Sequence, residues 1–186
     1  MNVQNTYTDT GDGSLPEVSV VIISKGNRTM LERATASIGE TDYPRSKLQC
    51  LVLEETDDPR PLEPWVEYHT IPVKHRGFGF ARNRALSYAR NAIILFTDDD
   101  CTVEKNWISE LINPLRKSQR IAAVGGAVFV PSCGVVGKCE NIIGFPGGGM
   151  KYVHLAAGKV VRRETFSTCN CAIRRSAIDV AGGFNL

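Results

Sequence analysis

Paired cysteine motifs, long apolar runs and charge of one sign are all missing here. Six cysteines occur (Cys50, Cys101, Cys133, Cys139, Cys169 and Cys171), and no two stand as C-x-x-C. Core thiols in a reducing compartment are therefore expected ahead of a zinc site or a disulfide framework. No apolar run approaches the roughly 20 residues of a membrane-spanning helix. The opening MNVQNTYTDTGDGSLPE lacks the apolar centre of a signal peptide. Lys plus Arg is 22 against 20 Asp plus Glu, a net charge of +2. Bulk charge thus makes no case for nucleic acid as a partner. The expected location is the cytoplasm, with peripheral contact at the inner face of a membrane left open.

What is present is a chain of 186 residues, enough for one domain with a real core. Its centre of interest is IILFTDDDC, residues 93–101. The apolar, β-branched start reads as a short buried strand. Three adjacent carboxylates cannot stay inside such a strand, because unpaired buried charge is very costly. The strand should end near Thr97, with Asp98, Asp99 and Asp100 at its carboxyl edge, where open α/β sheets bind ligands. Carboxylates crowded there repel one another unless a cation joins them, and hard oxygen donors favour Mg or Mn. A solvated acidic turn or a helix cap is the plainer alternative.

Other segments extend the pattern. Residues 18–23 (VSVVII) and 48–53 (LQCLVL) read as strands buried on both faces. The first leads through Ser24 into a helix expected over 29–38. The second ends in Glu54 and Glu55, another acidic strand end. Residues 68–73 suggest a third strand. A helix is expected over 75–91, with Gly77 and Gly79 near its start and Arg82 close behind; backbone N–H groups and an arginine fork there suit a phosphate. Beyond the aspartates we expect a helix over 104–117 and a strand over 121–130, with Gly125 and Gly126 marking a bulge or close approach. A loop-rich stretch over 131–150 should follow, then a hairpin turning at 157–158, a strand over 166–173 and a short helix over 174–180. Strands alternating with helices argue for βαβ units and a mainly parallel, Rossmann-like α/β sheet flanked by helices. Residues 1–16 read as a disordered lead-in, and 17–186 as one domain with a nucleotide-binding half (17–100) and a partial acceptor half (101–186).

VSVVIISKGNR, LVLEETDD, RGFGFARNRAL, ILFTDDDC and TCNCAIRRSAIDVAGGFN fall in the order found in family 2 glycosyltransferases of GT-A fold, which the chain resembles over residues 18–185. The resemblance implies an enzyme that moves a sugar from a nucleotide-diphosphate sugar, a UDP-sugar favoured, to a glycan, lipid or protein acceptor, with Mg or Mn as cofactor and inversion at the sugar carbon. It assigns the donor side to Ser24, Glu54, Glu55, Gly77, Arg82, Asp98 and Asp99. Asp98 and Asp100 match the outer members of the family's D-x-D motif and would hold the metal. Thr168 and Asn170 match the late strand that approaches the sugar and acceptor.

The sequence departs from the family in three places. Ile23 stands where a proline is usual, Gly26 is extra, and Glu54 replaces an aspartate that reads the nucleobase. The E-D pair expected after the G-G-F segment, which resembles a general base, has no counterpart before Leu186, so the catalytic base is unassigned and the chain reads as cut short. Glu140, His154 and Glu164 are the remaining groups of suitable chemistry. A non-catalytic sugar-nucleotide-binding module and a nucleotidyltransferase of similar architecture stand as alternatives.

Overall fold

The computed structural model describes residues 14–74, 76–130, 134–145 and 147–185. The expected lead-in falls mostly outside them. Its last three residues are nevertheless tied down: the Tyr43 hydroxyl donates to the Pro16 carbonyl, Lys47 Nζ donates to the Leu15 carbonyl at 2.5 Å, and Leu15 packs on the core.

Apolar runs become central strands. β1 (Val18–Ser24) is buried along its whole length, and β2 (Leu48–Glu55) along all but its first residue. β4 (Ile93–Asp98) is buried up to Thr97 and half-covered at Asp98, so it reaches one residue further than expected. β3 (Val66–Ile71) is half-exposed and lies at an edge. These four strands are mutually parallel in the order β3-β2-β1-β4. β6 (Asn170–Arg174) adds antiparallel to β4, and β5 (Ala123–Gly125) closes the far edge antiparallel to β6. The sheet is therefore mainly parallel α/β, as expected.

The strands' alternation sends side chains to two separate cores. Val18, Val20, Ile22, Cys50, Val52, Ile93 and Leu95 meet α1 (Arg28–Gly39) and α3 (Trp107–Lys117) on one face. Val21, Ile23, Leu51, Leu53, Ile94 and Phe96 meet α2 (Gly77–Leu86) and α6 (Arg175–Ala181) on the other. A fully buried aliphatic or Phe side chain contributes about 1.5–3 kcal/mol, so these layers hold the strand ends rigidly in register.

Four expectations need correction. The helix over 75–91 is shorter, Gly77–Leu86, and His75 lies outside the described residues. The strand over 121–130 keeps only Ala123–Gly125: the chain leaves the sheet at Gly126, whose added Cβ would lie 2.5 Å from Asn170 Nδ2, so Asn170 occupies the path of a continuing side chain. The strand over 166–173 starts only at Asn170. Finally, the loop-rich stretch and the hairpin contain two helices, α4 (Val135–Ile143) and α5 (Gly149–Ala156), packed on each other. With three residues in β5 there is little edge for further strands to join, and helix formation satisfies the backbone locally.

Candidate donor-binding site

The carboxyl ends of β1, β2 and β4 bring the acidic residues together. Ser24 lies in register with Glu54, Ile23 with Asp98, and Thr97 with Asn170 at the start of β6. Helical crossovers leave β1 toward β2 and approach β4 from the other side. This is the switch in strand order where a crevice opens outside the sheet.

Asp99 is not directed at the other two aspartates. Its Oδ2 accepts from the Ser24 hydroxyl at 2.7 Å and from the Lys25 backbone N–H at 3.4 Å. The β1–α1 turn and the β4 end are thereby clasped. Asp98 accepts no hydrogen bond from any described side chain, and Asp100 receives only the weak Cys101 thiol at 3.6 Å. Burial pushes the Asp98 carboxyl above the ordinary range, Arg82 opposes that rise, and Asp100 and Asp99 add to it. Two carboxylates short of cationic partners at a sheet edge are a donor set that a hard divalent cation fits. Among the described residues no group of three or more His, Cys, Asp or Glu side chains converges on one point. Further ligands would have to come from water or substrate phosphate, as is common for Mg-type ions.

Cys50, Cys169 and Cys171 are buried as core groups, and Cys101 is half-buried. Burial pushes Cys50, Cys101 and Cys171 up to about 12, with Asp100 and Asp98 adding to the effect at Cys101. They stay protonated and unreactive near neutral pH. Cys133 lies outside the described residues, and Cys139 is exposed.

Glu54 and Glu55 part company. Period two sends them to opposite faces of β2. Glu54 is buried beside a cavity of about 170 Å³ lined also by Gly26, Arg28, Thr56, Asp58 and Arg60. Its Oε2 accepts from the Tyr68 hydroxyl at 2.5 Å and lies 3.7 Å from Arg28 Nη1, while Oε1 has no partner among the described residues. Arg28 is itself fixed on the Arg60 and Pro61 carbonyls. Glu55 instead forms an ion pair with Lys25 at 2.9 Å and accepts from the Lys74 backbone N–H at 2.9 Å. It therefore braces two loops.

Gly77 opens α2 with φ +86°, a left-handed conformation that favours glycine, and no atom lies within 4 Å of where its Cβ would be. Arg82 lies one turn on, its guanidinium 5.5 Å from the Phe78 ring centroid and 5.7 Å from that of Phe184. Phe184 is held against α2 by Asn83, which donates to its carbonyl and accepts from its N–H, both at 2.8 Å.

With this geometry in hand, similarity to known proteins is informative. The sequence model described as Glycosyl transferase family 2 matches residues 19–180. The chain belongs to glycosyl transferase family 2. It is 23% identical over 181 residues to Glycosyltransferase AglE of Haloferax volcanii, covering 92% of this chain and 57% of that protein. Among solved structures it is similar to the mannosyltransferase PcManGT from Pyrobaculum calidifontis, solved with GDP-Man and Mn2+ (TM-score 0.67, 21% identity, 93% of this chain and 48% of that one). It is also similar to S. aureus TarS 1-349 (TM-score 0.62, 14% identity, 90% and 50%). The chain thus spans about half the length of these relatives. The fold is the GT-A type.

On the other side of the aspartates, this family 2 chain has a second cavity of about 460 Å³. Thr97, Asp100, Cys101, Glu104, Trp107 and Asn170 line it, with the 127–129 segment as its rim. Asn170 is locked in place. Its Oδ1 accepts from the Trp107 indole N–H at 2.9 Å, its Nδ2 donates to the Ala127 carbonyl at 2.8 Å, and its own carbonyl accepts from Gly126 N–H at 2.9 Å. Thr168 is half-buried and does not line this cavity, nor do Glu140, His154 or Glu164. Sequence reasoning missed Glu104 and Trp107. Trp107 carried a signal as the first apolar residue of α3; Glu104 sits in a loop whose path no local pattern records.

Proposed function

We propose that the chain supplies the donor side of a metal-dependent sugar transfer from a nucleotide-diphosphate sugar, inverting at the sugar carbon. The observation that carries this reading is the placement of Ser24, Glu54 and the three aspartates on one sheet edge between two cavities, in a member of this family.

Each residue then has a task. Glu54 offers Oε1 to an N–H of the base in the smaller cavity. Uracil, with its N3–H between two carbonyls, suits a lone carboxylate acceptor better than adenine, whose ring nitrogens are acceptors. A uridine nucleotide is therefore favoured over an adenosine one. Asp99, through Ser24 and Lys25, sets the shape of the turn against which the nucleotide rests, and Glu55 anchors that turn through Lys25. Asp98 and Asp100 hold Mg or Mn, which when bound neutralises charge that grows on the leaving diphosphate. Arg82 and the Gly77 backbone supply further donors for that diphosphate. Asn170 acts as a positioning residue: it fixes Trp107 and the 126–127 backbone, which shape the acceptor cavity. Residues 17–100 thus serve the nucleotide and 101–186 the acceptor. Glycan, lipid and protein acceptors are all compatible with an open cavity, and a cytoplasmic location suits a nucleotide-sugar donor.

The test is calorimetric titration of UDP, GDP and ADP, each with and without Mn, followed by an assay of sugar transfer. Tight, Mn-dependent binding with UDP preferred is expected. Equal binding of ADP, or affinity indifferent to Mn, would remove the assignment of Glu54 or of the aspartates respectively.

A further inference from the structure

The helical pair between β5 and β6 is inside out relative to the rest of the protein. None of α4's residues is buried. Val135, Val136, Cys139, Ile142 and Ile143 recur at i, i+1, i+4, i+7 and i+8, which is one apolar stripe of a helix. Val135 is 79% exposed, Val136 74%, Ile142 63% and Ile143 69%. The inward side is polar instead: Asn141 accepts from Val130 N–H and donates to its carbonyl, both at 3.0 Å. Phe145, Val160 and Val161 are exposed as well.

Charge accompanies it. Over residues 134–166 there are five Lys and Arg (Lys138, Lys151, Lys159, Arg162 and Arg163) against two Glu, a net of +3, so the rest of the chain is net negative. Lys151, Arg162 and Arg163 line an open cavity of about 470 Å³ together with Tyr152, Glu164 and Thr165. The Arg163 guanidinium stands 5.6 Å from the Tyr152 ring centroid. Exposed aliphatic groups and net positive charge on one segment match the chemistry of a bilayer surface that carries anionic headgroups. A protein partner would need matching acidic and apolar faces; an anionic bilayer has both by construction.

We propose that the α4–α5 pair docks on an anionic membrane surface, with the α4 stripe entering the headgroup region and the Lys151–Arg162–Arg163 cavity taking a lipid phosphate. No described helix is long and apolar enough to cross a membrane. Val128, which lines the acceptor cavity, bridges to Gly147 just before α5. Docking therefore sets the rim of that cavity at the lipid surface. The docking involves none of the donor-side residues, so the two readings fail separately.

The test is co-sedimentation of the 186-residue chain with phosphatidylcholine vesicles, with and without phosphatidylglycerol, at low and high salt. Binding to the anionic vesicles at least about tenfold tighter than to neutral ones is expected, weakening with salt. Ile142→Asp with Ile143→Asp, and separately Arg162→Glu with Arg163→Glu, should each lower it at least about tenfold while circular dichroism and UDP titration stay unchanged. All four side chains are exposed, so neither pair threatens the core. Absent binding, equal affinity for neutral vesicles, or indifference to both pairs would overturn the proposal. So would a dimer in sedimentation equilibrium that the Ile142→Asp, Ile143→Asp pair dissolves, because a second copy would then be the occupant.

Discussion

Residues 18–98 and residues 126–166 are built on opposite principles. In the first region nearly every apolar side chain of β1, β2 and β4 is buried, and the polar groups collect at one end of the strands. In the second the apolar groups of α4 face outward and the polar Asn141 faces in. The donor site proposed for the first region needs side chains fixed by a rigid sheet. A region that meets a variable acceptor or a surface has no such need. The contrast predicts where a substitution will be felt.

The sharpest way to break the contrast is to truncate one isoleucine in each region. Ile22 is fully buried in β1, whereas Ile142 is exposed. Ile22→Ala should cost about 2–5 kcal/mol by cavity formation, and Ile142→Ala no more than about 0.5 kcal/mol. Urea unfolding of both variants measures the difference. Equal losses would mean that α4 is part of the cooperative core.

Next in size is donor binding. Asp100→Ala should lower Mn-dependent affinity for UDP by at least about 10–100-fold, the loss typical of removing even an outer partner of a metal ligand. Asp99→Asn should cost less, since the amide oxygen can still accept from Ser24 and Lys25. Calorimetry with and without Mn separates the two. Unchanged affinity in Asp100→Ala would take the metal away from this edge.

These two predictions also mark what was legible in the sequence. Buried parallel strands announce themselves as near-continuous apolar runs, so VSVVII, LQCLVL and IILF could be placed without any tertiary knowledge, and acidic residues directly after such runs must lie at an edge. Period two also carried the separation of Glu54 from Glu55, although their adjacency invited treatment as one acidic end. The 126–166 region resisted for physical reasons. Its helices are flanked by glycines, β-branched residues in α4 suggest strands, and the stripe of Val135, Val136, Cys139, Ile142 and Ile143 has no buried face to report. The role of Asn170 depends on Trp107, 63 residues away, and on Ala127. No local pattern encodes such a clasp.

That clasp is where the two regions join, and Gly126→Ala probes it. An added Cβ would lie 2.5 Å from Asn170 Nδ2 and 2.8 Å from its Cγ. Asn170 would have to move, releasing Trp107 or Ala127. A loss of about 1–3 kcal/mol is expected, or about 2–4 °C in Tm per kcal/mol for a chain of this size. UDP affinity should hold, because neither Gly126 nor Asn170 lines the smaller cavity beside Glu54. A fall in UDP affinity as large as that of Asp100→Ala would show that the two cavities are coupled.

The smallest effect concerns the outer edge of the donor region, where β3 is held by charge as well as by the sheet. Glu67 accepts from Gln49 Nε2 at 2.9 Å and from Arg90 Nη1 at 2.6 Å, and its other oxygen lies 3.0 Å from His69 Nε2. Burial alone would raise its pKa; the hydrogen bonds from His69, Gln49 and Arg90, with the Arg90 charge, outweigh burial and hold the carboxyl below the ordinary range. A folded pKa below the unfolded one means that the stabilisation is fully present above the ordinary carboxylate pKa and disappears as pH falls through the lower, folded value. The group is partly exposed and Arg90 is largely in water, so the contribution is at most about 1 kcal/mol. Glu67→Gln should therefore destabilise the protein slightly at neutral pH, and the gap between variant and parent should close on acidification. Urea unfolding of both at neutral and acid pH measures it. A gap that persists in acid would mean that Glu67 acts by shape rather than charge, and that the β3 edge, like the start of β6 at Asn170, is held by fitted hydrogen bonds rather than by charge.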